Sequence, residues 1–193
     1  MIQNPLTPEL LCMAYAEGYF PMPDPQSGKI LWFNPEPRAV LPLESFHCPR
    51  SLSKTLRRSD FRITFDEAFD DVMKGCADRS ETWITDEFFK AYGAMARLGH
   101  AHSIEVWGGE TLVGGLYGVS LGGAFFAESK FHRVTDASKV ALYHLVEHLR
   151  QRHFSLLEVQ FLTPHLARLG AIEIPSKRYL KLLNIALQER AFF

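Results

Sequence analysis

The chain of 193 residues lacks several features that would place it in a common class of protein. It has no long apolar run of the kind that spans a membrane, and its first residues (MIQNP) lack the basic-then-apolar form of a secretory signal. Cysteine is scarce, and Cys12, Cys48 and Cys76 are scattered and odd in number, which argues against a disulfide framework and fits a reducing cytosol. Because 47% of the residues are hydrophobic and 22% are charged, we expect a globular protein with a sizeable core. The missing apolar run, the missing signal and the scattered cysteines lead us to expect a cytoplasmic protein without membrane association.

Motifs for metal binding and for serine chemistry are also missing. The pair His47-Cys48 has no second pair at zinc spacing, and there is no CxxC. The pair His100 and His102 is typical of a turn that enters a strand. Ser129 lies in AESKF, which lacks the Gly-x-Ser-x-Gly pattern of a nucleophile elbow. We therefore expect no metal site and no serine nucleophile.

The formal net charge is −1, so the whole chain does not resemble a nucleic-acid binder. Its basic residues are nevertheless clustered in residues 50–58 (RSLSKTLRR). On a helix, Arg50, Lys54, Arg57 and Arg58 fall at i, i+4, i+7 and i+8, which is a single face. Such a face suits phosphates. The alternative is an ordinary solvated basic face.

Residues 155–161 (SLLEVQF) have the short apolar pattern of a buried strand. Side chains alternate along a strand, so Glu158 and Gln160 project from one face, about 7 Å apart. Burying a carboxylate beside an amide costs several kcal/mol unless both find partners. A site that positions a proton acceptor explains this cost. The alternative is an exposed edge strand with two solvated side chains.

The order of the other elements predicts an α+β protein built on a mixed sheet. A Pro-rich loop that carries several aromatic residues is expected over residues 20–37. Strands 103–107 and 112–120 form a hairpin around a Gly-Gly turn. The remaining elements predicted are helices 7–18, 50–58, 67–76, 86–98, 136–153, 163–170 and 176–187 and strands 38–43, 62–65, 124–129 and 171–174.

Several ordered segments resemble the leucyl/phenylalanyl-tRNA–protein transferases. They are ILW (30–32), PEPRAV (35–40), TWIT (82–85), LGHAHSIEVW (98–107), LVGGLYGV (112–119), DASK (136–139) and LGAIEIP (169–175). The resemblance extends from about residue 11 to residue 182, and the ordered set is far more specific than any one segment.

The resemblance implies a fold and a reaction. The fold is acetyltransferase-like (GNAT-like), a mixed and mostly antiparallel sheet flanked by helices, with a small N-terminal segment (1–36) before the catalytic domain (37–193). The reaction moves Leu or Phe, less well Met, from aminoacyl-tRNA to the N-terminal Arg or Lys of an acceptor protein, which marks that protein for N-degron proteolysis. The resemblance implies no cofactor, no ATP and no CoA, and we expect a monomer.

The resemblance also implies the site residues. An aminoacyl ester is already activated, so the enzyme has only to orient an amine and manage one proton. A Gln carbonyl held by a carboxylate suits that task, which matches Glu158 and Gln160 as catalytic residues. Substrate binding is assigned to Glu128, Ser129, Met22 and Trp83. Binding of tRNA is assigned to the basic face of Arg50, Lys54, Arg57 and Arg58. The aminoacyl pocket is assigned to Leu116, Phe125, Leu142, Leu145, Leu149 and Leu157. The alternative for these six is plain core packing.

Three residues depart from the usual family pattern. Met22 stands where the family usually has Trp, Glu158 where it has Asp, and Lys130 where it has an apolar residue. On a regular strand Lys130 would share the face of Glu128 and pair with it. These departures keep open an aminoacyl-tRNA-dependent transferase that acts on a different peptide or small-molecule acceptor.

Two other classes of protein are disfavoured. A CoA-dependent acetyltransferase needs a Gly-rich loop before a helix, whereas residues 131–135 (FHRVT), which precede the helix at 136, contain no Gly. A non-catalytic tRNA-binding protein has no use for the carboxylate and amide pair.

Overall fold

The computed structural model describes residues 6–24, 27–80 and 82–193. The helices are α1 (Pro8–Ala16), α2 (Arg50–Arg58), α3 (Phe69–Ala77), α4 (Asp86–Arg97), α5 (Ala137–Gln151), α6 (Pro164–Arg168) and α7 (Ser176–Ala186). The strands are β1 (Phe20–Pro23), β2 (Ile30–Phe33), β3 (Arg38–Val40), β4 (Phe61–Phe65), β5 (Ala101–Gly108), β6 (Thr111–Leu121), β7 (Ala124–His132), β8 (Leu156–Gln160) and β9 (Ile172–Ile174). Residues 1–5, 25 and 26 of the expected N-terminal segment lie outside this description. None of the described helices is long and apolar enough to cross a membrane.

One mixed sheet has the strand order β4-β5-β6-β7-β8-β3-β9. Its neighbours pair antiparallel except β7 and β8, which are parallel and are joined through α5. Helices cover both faces of this sheet. The expected α+β class, with a mostly antiparallel mixed sheet flanked by helices, is confirmed.

Alternating side chains of the central strands divide the core into two layers. Tyr117 and Phe126 pack with residues of α1, α3, α4 and α7, whereas their neighbours Leu116 and Phe125 pack with residues of α2, α5 and α6. We call these two sides of the sheet the α4 face and the α5 face.

Two Thr-Pro pairs begin helices, as their sequence predicts. The hydroxyl Oγ1 of Thr7 accepts a hydrogen bond from the backbone N–H of Leu10 (3.2 Å), and Oγ1 of Thr163 accepts one from Leu166 (3.2 Å). The second cap places the buried Leu166 of α6 against the α5 face.

The prediction of a loop over residues 20–37 is wrong for part of that range, because β1 and β2 form an antiparallel hairpin. Pro21 lies opposite Trp32 and Pro23 lies opposite Ile30. A two-stranded sheet leaves one edge of each strand unpaired, so it tolerates prolines that would break a central strand.

Strand β7 contains a bulge that decides which way its side chains point. Tyr117 of β6 lies opposite Ser129 and the next residue, Gly118, lies opposite Ala127, so Glu128 is one extra residue in β7. Gly118 permits the close approach, since a Cβ at that position would lie 2.3 Å from the carbonyl oxygen of Phe126. Beyond the bulge the alternation is inverted.

Candidate active site

A cavity of about 310 Å³ opens where β7 and β8 separate. The parallel pairing of these strands ends at Phe126 and Glu158, and the cavity lies beyond this point. Its polar lining comprises Arg79, Glu128, Ser129, Lys130 and Gln160. Its apolar lining comprises Trp83, Leu116, Ala127, Leu142, Val159 and Leu166. A polar wall facing an apolar wall suits a substrate that has an apolar group next to a reacting polar group.

Gln160 lines this cavity and is held by Glu128. The residue ends β8 with a left-handed backbone (φ 62°), which turns the chain away from the sheet. Its amide Nε2 donates to both carboxylate oxygens of Glu128 (3.3 Å each). Because the nitrogen is held in this way, the carbonyl Oε1 is the atom left to accept a hydrogen bond from a substrate.

Glu128 is buried on the α4 face, and two tyrosines surround its carboxyl group. Tyr15 donates from its hydroxyl to Oε1 of Glu128 (2.7 Å), and the hydroxyl of Tyr92 lies 3.4 Å from Oε2. The two tyrosine hydroxyls are also hydrogen-bonded to each other. Burial raises the pKa of Glu128 to about 8, although the hydrogen bond from Tyr15 acts to lower it. Glu128 is therefore a carboxyl group whose proton is lost slightly above neutral pH.

Glu158 is held by a buried arginine. Nε of Arg38 donates to Oε1 of Glu158 (2.7 Å), and the two side chains are 0% and 1% exposed. The same Oε1 accepts the backbone N–H of Gln160 (2.6 Å). Burial raises the pKa of Glu158, and the charge of Arg38 opposes that shift. Glu158 therefore positions the backbone of Gln160, whereas the carboxylate that holds the Gln160 amide is Glu128.

Arg38 itself is enclosed by residues from both ends of the chain. Its guanidinium carbon lies 4.8 Å from the ring centroid of Phe20 and 4.5 Å from that of Tyr179. Its Nη1 donates to the backbone carbonyl of Gly18 (2.9 Å). The N-terminal segment is thus anchored next to Glu158 by a single buried cation.

The six residues predicted to form the aminoacyl pocket do not all reach the cavity. Leu116 and Leu142 lie on its wall. Phe125, Leu145, Leu149 and Leu157 are at most 1% exposed and are packed into the core of the α5 face. For these four the prediction of a pocket wall is corrected to core packing, because Phe125 and Leu157 lie where β7 and β8 are still paired. Val159, Ala127 and Leu166 take their places on the apolar wall.

The residues predicted to bind substrate are divided in a similar way. Glu128, Ser129 and Trp83 lie on the cavity wall, and Oγ of Ser129 accepts a hydrogen bond from Nη2 of Arg79 (3.1 Å). Met22 is not part of the wall. It lies in β1 opposite Leu31, and its half-buried side chain packs against the core of the α4 face.

The predicted pairing of Lys130 with Glu128 is wrong. The bulge places Lys130 opposite Leu116, whose side chain lies on the α5 face, whereas Glu128 contacts Tyr15 and Tyr92 on the α4 face. Across the described parts of the chain, Lys130 has no ion-pair partner, and burial lowers the pKa of its ammonium group. Lys130 therefore does not form an ion pair with Glu128, and it adds a separate cation to the cavity.

The basic helix has the predicted form. Arg50, Lys54, Arg57 and Arg58 are all exposed on α2, and Leu52 is buried against the α5 face. Within the described ranges none of the four cations has an ion-pair partner. Their binding of tRNA stays a prediction.

Sequence reasoning gave no role to Arg38, Tyr15, Tyr92 or Arg79. Arg38 carries a detectable signal, because a cation next to Ala-Val in a strand is out of place unless a buried anion balances it. Tyr15 and Tyr92 carry none, since each occupies a core position of an ordinary amphipathic helix.

Comparison with known proteins identifies families and relatives similar to this chain. The family model described as leucyl/phenylalanyl-tRNA protein transferase matches residues 40–184, and the model for the N-terminal domain of the same proteins matches residues 4–36. A leucyl/phenylalanyl-tRNA–protein transferase of Cereibacter sphaeroides (strain ATCC 17029 / ATH 2.4.9) is 52% identical over 97% of this chain and 88% of that protein. One from Akkermansia muciniphila is 49% identical over 96% of this chain and 98% of that protein.

Solved structures give more distant matches. A ribosomal-protein-alanine N-acetyltransferase from Brucella melitensis biovar Abortus 2308 superposes with a TM-score of 0.42 and 15% identity, over 56% of this chain and 86% of that chain. The structure of L-PGS from Bacillus licheniformis superposes with a TM-score of 0.49 and 8% identity, over 94% of this chain and 71% of that chain.

Proposed function

The chain belongs to the leucyl/phenylalanyl-tRNA–protein transferase family, and we propose that it moves Leu or Phe, less well Met, from aminoacyl-tRNA to the N-terminal Arg or Lys of acceptor proteins. The observation that carries this proposal is that Gln160 lines the cavity while its amide nitrogen is held by buried Glu128, which leaves its carbonyl oxygen to accept a hydrogen bond. The relatives named for this activity disfavour the alternative of a different acceptor class.

The chemical step exchanges an ester for an amide. The α-amine of the acceptor attacks the ester carbonyl carbon, a C–N bond forms, and the bond from that carbon to the terminal ribose oxygen breaks. The amine loses one proton and the ribose oxygen gains one. The Gln160 carbonyl accepts a hydrogen bond from the attacking N–H, so the lone pair of the nitrogen points at the ester carbon.

Two sides of the cavity take different parts of the substrates. The apolar wall formed by Leu116, Leu142 and Leu166 receives the Leu or Phe side chain. Once it has lost its proton as pH rises through about 8, Glu128 is the carboxylate on the wall that is able to meet a cationic acceptor, because Glu158 is already paired with Arg38. Transfer of an apolar residue to such an N-terminus then marks the acceptor for N-degron proteolysis.

A direct transfer assay tests this function. The protein is incubated with tRNA charged with labelled Leu, Phe or Met and with peptides that begin with Arg, Lys, Leu or Glu. We expect label in the Arg and Lys peptides from Leu- and Phe-tRNA, with Met weaker. Label in none of the peptides, from protein that is folded and binds tRNA, contradicts the proposal.

Removal of the exposed charges of α2 is expected to weaken tRNA binding. If Arg50, Lys54, Arg57 and Arg58 each neutralise one phosphate, replacing all four by Ala lowers the slope of log K against log salt by about 3 to 4. Binding measured by filter retention or fluorescence anisotropy between low and moderate salt checks this.

The matched control removes four exposed cations from elsewhere. Lys90, Lys177, Arg178 and Lys181 are exposed on α4 and α7, and their replacement by Ala changes the net charge by the same amount. This control should keep the parental slope. Equal slopes for both variants would mean that α2 is only a solvated face.

The pKa of Glu128 near 8 predicts a pH dependence. The ionised carboxyl group accepts the Gln160 amide more strongly, so transfer should rise as pH rises through about 8. The acceptor amine also titrates in this range, so the quantity to measure is the ratio of the parental rate to that of Glu128→Gln. We expect this ratio to rise about tenfold per pH unit below the pKa and to level off above it.

The same pKa shift affects stability in a defined direction. The folded-state pKa of Glu128 is raised, so its contribution to the free energy of unfolding is full at acidic pH and is lost as pH rises through about 8. Glu128→Gln should remove this part of the pH dependence of stability.

The transfer measurement has its own contradicting outcome. If the ratio of the parental transfer rate to that of Glu128→Gln does not change with pH, ionisation of Glu128 has no part in transfer.

We also propose that the chain is divided into an N-terminal segment (1–36) and a catalytic domain (37–193). We further propose that the protein acts as a monomer in the cytoplasm, where charged tRNA is available. The separate matches of the two family models support the boundary. The contacts of Arg38 with Gly18 and Phe20 make the two parts one packed unit.

A further inference from the structure

A second group of cations lies at the edge of the cavity where β7, α5 and α6 meet. Lys130 of β7 and Leu166 of α6 line the same cavity. Leu166 has His165 beside it and Arg168 two residues later, and Lys139 lies one helical turn before the cavity residue Leu142. We call Lys130, Lys139, His165 and Arg168 the rim cluster.

The members of the rim cluster are close enough to act on one another. Burial and the positive charges of Lys130, Lys139 and Arg168 lower the pKa of His165, with only Asp136 opposing them. Asp136 is already engaged, because Oδ1 accepts Nζ of Lys139 (2.5 Å) and Oδ2 accepts the hydroxyl of Thr55 (3.1 Å). In the described part of the chain, Lys130 and Arg168 have no carboxylate partner.

Lys130 is a half-buried cation on the cavity wall, and neighbouring positive charges add to the cost of placing it there, so an anionic ligand would stabilise it. Thr55 of α2 donates a hydrogen bond to Asp136 at the start of α5. The basic helix therefore lies on the same side of the sheet as the rim cluster, with the Asp136 carboxylate between them.

We propose that the rim cluster binds a phosphodiester of the 3′ end of aminoacyl-tRNA. This inference rests on the proposed function. An aminoacyl group bound next to Gln160 is esterified to the terminal ribose, whose 5′ oxygen carries the first phosphodiester. Lys130 lines the same cavity as Gln160, so it is the member of the cluster placed to meet that phosphodiester.

The test compares two minimal donors that differ in phosphodiesters. Phenylalanyl-adenosine carries none, and a phenylalanyl-CCA trinucleotide carries two. For the parental protein we expect kcat/KM for the trinucleotide to exceed that for the adenosine ester by about tenfold at low salt, and the advantage to shrink as salt rises. In the double variant Lys130→Met/Arg168→Ala the ratio of the two values should fall towards one.

A matched control keeps the result specific. The double variant Lys177→Ala/Lys181→Ala removes two exposed cations of α7 and should keep the parental ratio. A tenfold ratio that survives in the rim variant overturns the inference. If that variant also uses peptides with an acidic second residue less well than the parental protein does, the cluster binds the acceptor instead.

Direct binding separates this inference from the proposed function. Titration with uncharged CCA trinucleotide and with adenosine needs no transfer. If the parental protein transfers nothing but binds CCA about tenfold more tightly than adenosine, and the rim variant loses that difference, the phosphate site stands while the proposed function fails. If the parental protein binds both equally, the phosphate site fails whatever the outcome of the transfer assay.

Discussion

Replacing Gln160 by Ala is expected to reduce kcat/KM for transfer by on the order of 10²-fold, the loss typical of a group that handles a proton. The variant removes the carbonyl that receives the attacking N–H and leaves the cavity wall otherwise unchanged. Charged-tRNA binding should remain, because the basic helix α2 is on another part of the surface. Single-turnover transfer with saturating Phe-tRNA and an Arg peptide measures the effect.

Backbone strain has to be separated from chemistry in this variant. Gln160 has a positive φ of 62°, so Ala keeps the same left-handed conformation and the same cost. The variant loses the two donations from Nε2 to buried Glu128, so it should be less stable by about 1 to 3 kcal/mol, and transfer is compared at a temperature at which thermal unfolding shows both proteins to be folded. Near-normal turnover by a folded Gln160→Ala protein would remove Gln160 from the mechanism.

A double-mutant cycle tests whether Glu128 acts through Gln160. Glu128→Gln alone should slow transfer at pH above about 8, and the double variant Glu128→Gln/Gln160→Ala should lose less activity than the product of the two single losses. Effects that simply multiply would mean that Glu128 acts on the acceptor alone and not through the Gln160 amide.

The sequence is sufficient to predict most elements, since their patterns are local. The apolar stripe of α5 gives its buried face, and the alternating apolar run of β8 places Glu158 and Gln160 on one strand. The hairpin β1–β2 is missed because its prolines are tolerated only at an unpaired strand edge, which depends on the partner strand.

The arrangement of the site depends on features that sequence patterns do not reveal. The bulge at Glu128 inverts the face of Lys130, yet the surrounding residues would pack on either side. The partners also lie far apart in the chain: Tyr15 and Glu128 are separated by 113 positions, and Arg38 and Glu158 by 120. The first contact forms only when α1 packs on the α4 face, and the second only when the sheet order places β3 beside β8.

The pocket prediction fails for a related reason. The α5 stripe is apolar along its length, but only the part facing the gap between β7 and β8 reaches the cavity. Leu142 lies at this gap, whereas Leu145 and Leu149 lie further along the helix in the core of the α5 face. Where two strands separate is a property of the folded sheet.

Replacing Arg38 by Met is expected to lower the free energy of unfolding by about 3 to 5 kcal/mol, because it leaves the carboxyl group of Glu158 buried without a counter-ion. The loss should grow with pH. Without Arg38 the folded-state pKa of Glu158, already raised by burial, rises further, so the folded state keeps a proton that the unfolded chain releases. The contribution of neutral Glu158 to the free energy of unfolding is therefore complete at acidic pH, and it is lost as pH rises through the folded-state pKa of Glu158. Urea unfolding at pH 5 and pH 8 measures both effects.

The double variant Arg38→Met/Glu158→Leu separates stability from positioning. It removes both buried charges, so it should recover much of the lost stability and its pH dependence. Transfer should nevertheless stay low, because the backbone N–H of Gln160 has lost the Glu158 oxygen that it donates to, and the Gln160 carbonyl is no longer fixed towards the cavity. Recovery of both stability and parental transfer in this variant would show that the buried ion pair only supports the fold. Recovery of stability alone would identify Arg38 and Glu158 as positioning residues for Gln160.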